Sequence, residues 1–194
     1  MVDIYSRKFK IYRQFEDELR VKRDSLEFLF IEGTKNLAEA ERIQTEGRER
    51  ARKEAEARGA KGLSIPWGIF NAVEIAKASR AIYAGALFLT LDGWIENLAR
   101  NLGREKTERI EARYGFGGTI HTGANNMRHF STWDRESKAN RLSFDELESM
   151  GVRRPFNRIL CDEILEKLGY RTYECLEGEV FALGYELAKL PTKQ

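Results

Sequence analysis

The chain has 194 residues, enough for one domain with a substantial core. Its 42% hydrophobic and 33% charged composition describes a globular protein with an unusually charged surface, which suits solvent-facing helices better than a β-sandwich; the expected class is all-α, a helical bundle with a long charged N-terminal helix or arm. With 33 basic against 31 acidic side chains, the formal net charge of +2 excludes a whole-chain pull toward nucleic acid, so any basic footprint has to be local.

In chain order, Ile4, Ile11, Phe15, Leu19, Leu26 and Phe30 recur at helical steps and predict a long helix packed on the core, with Gly33-Thr34 as its interruption. Ala38 to Arg58 is mostly Glu, Arg, Lys and Ala with Ile43 as its one bulky aliphatic, which predicts a solvated helix, either a partner helix or an arm. Gly59-Ala-Lys-Gly-Leu-Ser-Ile-Pro66 reads as a connection. It divides an N-terminal helical segment with the charged arm, residues 1–62, from a helical core, residues 63–194, within what the length suggests is one structural domain overall. From Trp67 to Leu102 the pattern is helical and apolar on more than one face, and it predicts the most buried helix or helix pair. Gly103 caps its end, Arg104 to Tyr114 is a short charged helix, and the glycines of Gly115-Phe-Gly-Gly-Thr-Ile-His-Thr-Gly123 predict a loop.

Further on, Ser143-Phe-Asp-Glu146 fits an S-x-x-E capping box for a short helix ended by Gly151. Pro155 suits a first helical turn, and Phe156, Ile159, Leu160, Ile164, Leu165 and Leu168 form the apolar face of a helix ending at Gly169. The last helix carries Leu176, Val180, Leu183, Leu187 and Leu190 and stops at Pro191, while Arg171 to Leu176 fits either its start or a short strand. No run approaches the ~18 apolar residues of a membrane span; Ala84 to Leu91 stops at Asp92. Cys161 and Cys175 lack CxxC spacing and the first residues lack a secretory pattern, so the expected location is cytoplasmic, with no membrane partner.

One segment looks like chemistry. His121-Thr-Gly-Ala-Asn-Asn-Met-Arg-His-Phe-Ser-Thr-Trp-Asp134 gathers both histidines, an arginine, two asparagines and a tryptophan behind the glycine-rich stretch. Arg128 and His129 supply a fixed cation and a group titrating near neutrality, the pair needed to cut a phosphodiester without metal. With a helix starting near Gly123 or Ala124, Met127 and Phe130 anchor it and Asn125, Arg128 and His129 face a groove. A plainer alternative pairs Arg128 with a carboxylate such as Asp92 or Glu96 and makes His129 a satisfied, partly buried histidine. The glycine stretch lacks the Gly-Lys-Ser/Thr end of a Walker A loop, and His121 and His129 lack tight metal-ligand spacing; neither a cofactor nor a metal is expected. Basic residues cluster at Arg100, Arg104, Lys106, Arg109 and Arg113 and again at Arg153, Arg154 and Arg158, flanking an RNA path or, with the interleaved glutamates, forming a solvated helix face.

The run Asn125 to Asp134, behind a long apolar helix in an all-helical chain, resembles the HEPN superfamily of helical RNA-processing and toxin proteins. The resemblance covers the layout from about residue 67 to 190 and leaves the arm at 37–58 without a counterpart. The family's usual motif places histidine about four to six residues after arginine, whereas here His129 follows Arg128 at once; a nearer likeness is a group of bacterial helical proteins with a basic residue, a histidine and then a tryptophan, matched by Arg128, His129 and Trp133. The resemblance implies a metal-independent endoribonuclease of a toxin or defence system, with RNA as partner and a homodimer as assembly. His129 would be its acid or base and Arg128 would stabilise charge on the phosphate. Asn125, Asn126, His121 and the backbone after Gly123 would hold substrate, supported by Trp133 and Asp134, and the product would be a 2′,3′-cyclic phosphate. The alternative expectation is a non-catalytic interaction or adaptor protein, antitoxin-like or phage-encoded, whose partner binds residues 37–58.

Overall fold

The structure, a computed structural model, describes residues 2–131, 138–152 and 158–189. Among the described residues the protein is all-α, with ten helices and no strand. In order these are α1 (Val2–Val21), α2 (Arg23–Thr34), α3 (Ala38–Ala57), α4 (Trp67–Phe70), α5 (Ala72–Asn101), α6 (Lys106–Glu111), α7 (Phe116–His129), α8 (Lys138–Ser149), α9 (Cys161–Leu168) and α10 (Tyr173–Lys189). They form two compact units, one of Met1–Thr34 with Ala81–Gln194 and one of Lys35–Arg80.

The larger unit holds the main core. From Ala84 onward α5 buries Leu87, Phe88, Leu91 and Ile95, which explains why its sequence is apolar on more than one face. Around them pack Phe15 and Leu19 of α1, Leu26 and Phe30 of α2, Ile120 and Ala124 of α7, Leu147 of α8, Ile164 and Leu165 of α9, and Leu176, Leu183 and Leu187 of α10. The predicted first helix is two, broken at Lys22 where the chain turns, and the end expected at Gly33-Thr34 is where α2 stops. The ambiguous stretch before the last helix resolves as helix from Tyr173, whose ring is buried against Phe30. Pro155, Phe156, Leu190 and Pro191 lie outside the described residues.

In the smaller unit, α3 is the expected charged helix. Arg42 bonds Glu39 at 2.6 Å and Glu46 at 3.0 Å, all exposed, pairs that sustain helicity by only a few tenths of a kcal/mol each. Gly47 lets Ile69 approach, Arg48 stacks over the Phe70 ring at 5.1 Å, and the Val73 N–H donates to Gln44.

Two expectations are corrected. The glycine-rich stretch is no loop, for α7 begins at Phe116 behind Gly115, which caps it in the left-handed conformation at φ 87°. The glycines inside the helix serve close approach. A side chain at Gly117 would collide with the Arg109 carbonyl oxygen, one at Gly118 would meet Ile110, and one at Gly123 would lie 2.5 Å from the Phe88 ring. Likewise Ser143 is no helix cap. It lies buried inside α8, and Glu146 accepts a hydrogen bond from Thr119 of α7 at 2.8 Å rather than closing a box. A capping box does form at the start of α6, between Glu105 and Glu108.

Between α6 and α7 the chain reverses through three successive left-handed residues, Arg113, Tyr114 and Gly115. Arg113 is held there by α10, its backbone N–H donating to Glu186 and its guanidinium to Glu179 at 2.8 Å. The glycines make opposite predictions. Gly117→Ala forces α7 off α6 and should cost about 1–3 kcal/mol, whereas exposed Gly93 of α5 has open space around it, so Gly93→Ala should stabilise by about 0.5–1 kcal/mol. Urea denaturation midpoints of the two variants check both signs.

Candidate functional site

Asp92 is an acid at the end of an apolar run, and the helix carries it inward to 1% exposure. A carboxylate there stays ionised only when paired and hydrogen-bonded. The Arg109 Nη1 donates to Oδ1 at 2.9 Å from α6, and two groups arrive from α7: Arg128 Nη1 donates to Oδ2 at 3.1 Å and His121 Nδ1 lies 3.2 Å from Oδ1. Burial pushes the Asp92 carboxyl upward, but the bond from His121, the charge of Arg109 and the bond from Arg128 outweigh it and hold the group below the ordinary aspartate range.

The histidine in this cluster has a defined role. Asn125, one turn further along α7, places its amide nitrogen 3.1 Å from His121 Nε2. An amide N–H donates, so Nε2 accepts, and Nδ1 carries the proton that is given to Asp92; this tautomer is assigned from the bonding pattern. In that state Arg109 Nη2, 3.3 Å from Nδ1, is a close neighbour with no acceptor to reach. A carboxylate on Nδ1 and a lone pair on Nε2 is the arrangement that orients an imidazole as a base. The amide of Asn125 covers that lone pair, and its Nδ2 also donates to Ser143 Oγ at 3.5 Å.

The residues singled out in the sequence part company here. Arg128 converges on Asp92, as the plainer reading of the sequence anticipated, with its side chain still 36% exposed. His129 is exposed in the last turn of α7, and the eight-residue separation from His121 amounts to about 12 Å along the helix axis, so the two imidazoles are not in direct contact. Asn125 joins His121. Asn126 does not face substrate: it is fully buried, donating to the Arg158 carbonyl at 3.0 Å and accepting from the Leu160 N–H at 2.6 Å, and so ties the chain before α9 to α7. Gly123 packs on Phe88, and its carbonyl accepts the Cys161 thiol, whose pKa burial pushes up to about 12. The amides after Gly123 are interior to α7 and bonded within it, so the expected phosphate-binding helix start is not at that position. Trp133 and Asp134 lie outside the described residues.

Sequence reasoning missed Arg109 as the most buried partner of Asp92, having placed it in a solvated cluster. The signal was an acid interrupting an apolar run, since a charge on a buried face demands a buried counter-charge.

Replacing Asp92 by Asn leaves Arg109 buried without its counter-charge and should cost about 3–5 kcal/mol in denaturant unfolding. Because the folded pKa of Asp92 is lowered, its contribution is present above the unfolded value, about 3.9, and is lost as pH falls through the folded value. Wild-type stability should therefore decline on acidification below pH about 4 with a component that Asp92→Asn lacks, measured as denaturation midpoints against pH. Asn126→Ala strands the buried Leu160 N–H and removes the donor to the part-buried Arg158 carbonyl, and should cost about 1–3 kcal/mol; an unchanged midpoint would contradict its structural role.

Comparison with family models, curated proteins and solved structures finds no match to this chain.

Proposed function

We propose that the chain is a HEPN-like, RNA-directed protein that cuts RNA without metal at the C-terminal end of α7, as part of a toxin or defence system. The observation that carries this reading is the buried Asp92, which anchors Arg128 and His121 together while the Arg128 side chain stays partly exposed, next in sequence to exposed His129. Fixing a cation before substrate arrives removes a reorganisation cost from the reaction.

Metal-free cleavage needs a proton acceptor at the 2′-hydroxyl, a proton donor at the leaving 5′-oxygen and a cation at the phosphorus. In this reading His129 takes the 2′ proton as the 2′-oxygen bonds to phosphorus and the bond to the 5′-oxygen breaks. The imidazolium then returns the proton to the 5′-oxygen. Arg128 balances the charge on the non-bridging oxygens, and Asn125 with His121 contacts the strand further along the helix. The products are a 2′,3′-cyclic phosphate and a 5′-hydroxyl. The same reading implies a homodimer in which two copies of α7 face one cleft.

One observation favours a second reading, a non-catalytic adaptor. The Lys35–Arg80 unit exposes Leu63, Trp67 and Phe70, with Trp67 at 72%, beside the charged helix α3. There the partner is a protein bound through residues 37–58, and Arg128 only neutralises Asp92.

The test is incubation of mixed tRNA and single-stranded RNA in EDTA with wild type, His129→Ala and Arg128→Ala. Cyclic-phosphate ends from wild type, reduced about 10²-fold or more in folded His129→Ala, are expected. Equal background from all three proteins would end the ribonuclease reading and favour the adaptor.

A further inference from the structure

A cavity of about 180 Å³ lies beside Arg109 in the larger unit. Arg100, Arg104, Lys106 and Arg109 line it against only two acids, Glu96 and Glu105. Both acids are already engaged. Glu96 accepts from Arg100 at 3.2 Å, and the Glu105 carboxylate accepts a backbone N–H in the capping box of α6. Two of the four cations are fixed before any ligand arrives. The Arg104 side chain is 1% exposed, its Nε donating to the Leu187 carbonyl at 2.9 Å and its Nη1 4.0 Å from Glu108; the Arg109 side chain is 5% exposed and held by Asp92. Arg100 and Lys106 approach from the surface. Arg104 also acts on Lys8, whose ammonium is held below the usual lysine range by burial and by the Arg104 charge.

Size narrows the ligand. Sites for drug-sized molecules span roughly 300–1,000 Å³, so the space of this cavity suits a compact group. A tetrahedral oxyanion matches both the space and the planar guanidinium donors. The burial of the Arg104 and Arg109 side chains strengthens their attraction for an anion relative to exposed cations.

We propose that this cavity is a phosphate-binding site, taking either free phosphate or a phosphate of a polynucleotide backbone. It stands apart from the ribonuclease reading, because neither Arg128 nor His129 lines it. Through Arg109 it nonetheless shares a side chain with the Asp92 cluster, so an anion bound there competes with Asp92 for the same guanidinium.

The experiment is calorimetric titration of the full chain with inorganic phosphate, with sodium chloride at matched ionic strength as control. The double variant Arg100→Ala/Lys106→Ala removes only the two exposed cations, and an unchanged thermal midpoint certifies its fold. Saturable phosphate binding by wild type that weakens by about tenfold or more in the double variant is expected. No saturable heat beyond the chloride control, or equal affinity in the double variant, would overturn the site. Repeating the titration on His129→Ala with a single-stranded RNA oligonucleotide as competitor, so that the strand stays intact, identifies the source. Displacement assigns the cavity to backbone phosphate and its absence to free phosphate, and loss of RNA cleavage leaves the phosphate titration itself untouched.

Discussion

Carrying one carboxylate into the core fixes α5, α6 and α7 against one another. The Asp92 side chain sits in the wall of a helix whose neighbouring positions are Leu91 and Ile95, where an unpaired negative charge would be prohibitive. Arg109 has to come inward from α6, and His121 and Arg128 from α7, so three helices are registered on two oxygen atoms. A hydrophobic contact tolerates sliding, but a charge with several directional partners does not, and this gives α7 a defined rotation about its axis.

That rotation sorts the side chains of α7. Ile120, Gly123 and Ala124 press on the core, with Gly123 bringing the helix against the Phe88 ring and Gly117 bringing it against the Arg109 carbonyl. Asn126 satisfies two backbone groups of the chain leading into α9. Off the core lies the edge formed by His121, Asn125 and Arg128, followed by exposed His129, on which the ribonuclease proposal rests. Polar side chains adjacent on the same helix thus have opposite duties, and only their angular position separates them.

Arg109 has a double position. It neutralises Asp92 on one hand and lines a cationic cavity on the other, 4.0 Å from Glu96. Under the proposals made for these two places, anion binding and the setting of Arg128 are linked by a shared guanidinium and a shared carboxylate. The exposed aromatic side chains of the smaller unit are what the adaptor reading draws on.

Local signals sufficed for the elements whose cause is local. Periodicity located α5, the apolar face of α10 and the Ile164, Leu165 and Leu168 part of α9, though Ile159 and Leu160, expected on the same helix, precede its start at Cys161; alternating charge located α3, and glycine in the left-handed conformation ended α8 and α9 at Gly151 and Gly169. The same local signals failed at Gly115–Gly123 and at Ser143, because a glycine looks identical in a loop and at a helix crossing, and a serine looks identical as a cap and as a buried bonding partner. For the site, the sequence by itself left two readings of Arg128 open, a cation facing a groove or a partner of a carboxylate such as Asp92 or Glu96. Only the tertiary structure chose Asp92, added Arg109 and His121 to it, and withdrew Asn126 and Gly123 into packing. Those choices rest on contacts between residues 17 to 36 positions apart, which no local pattern encodes.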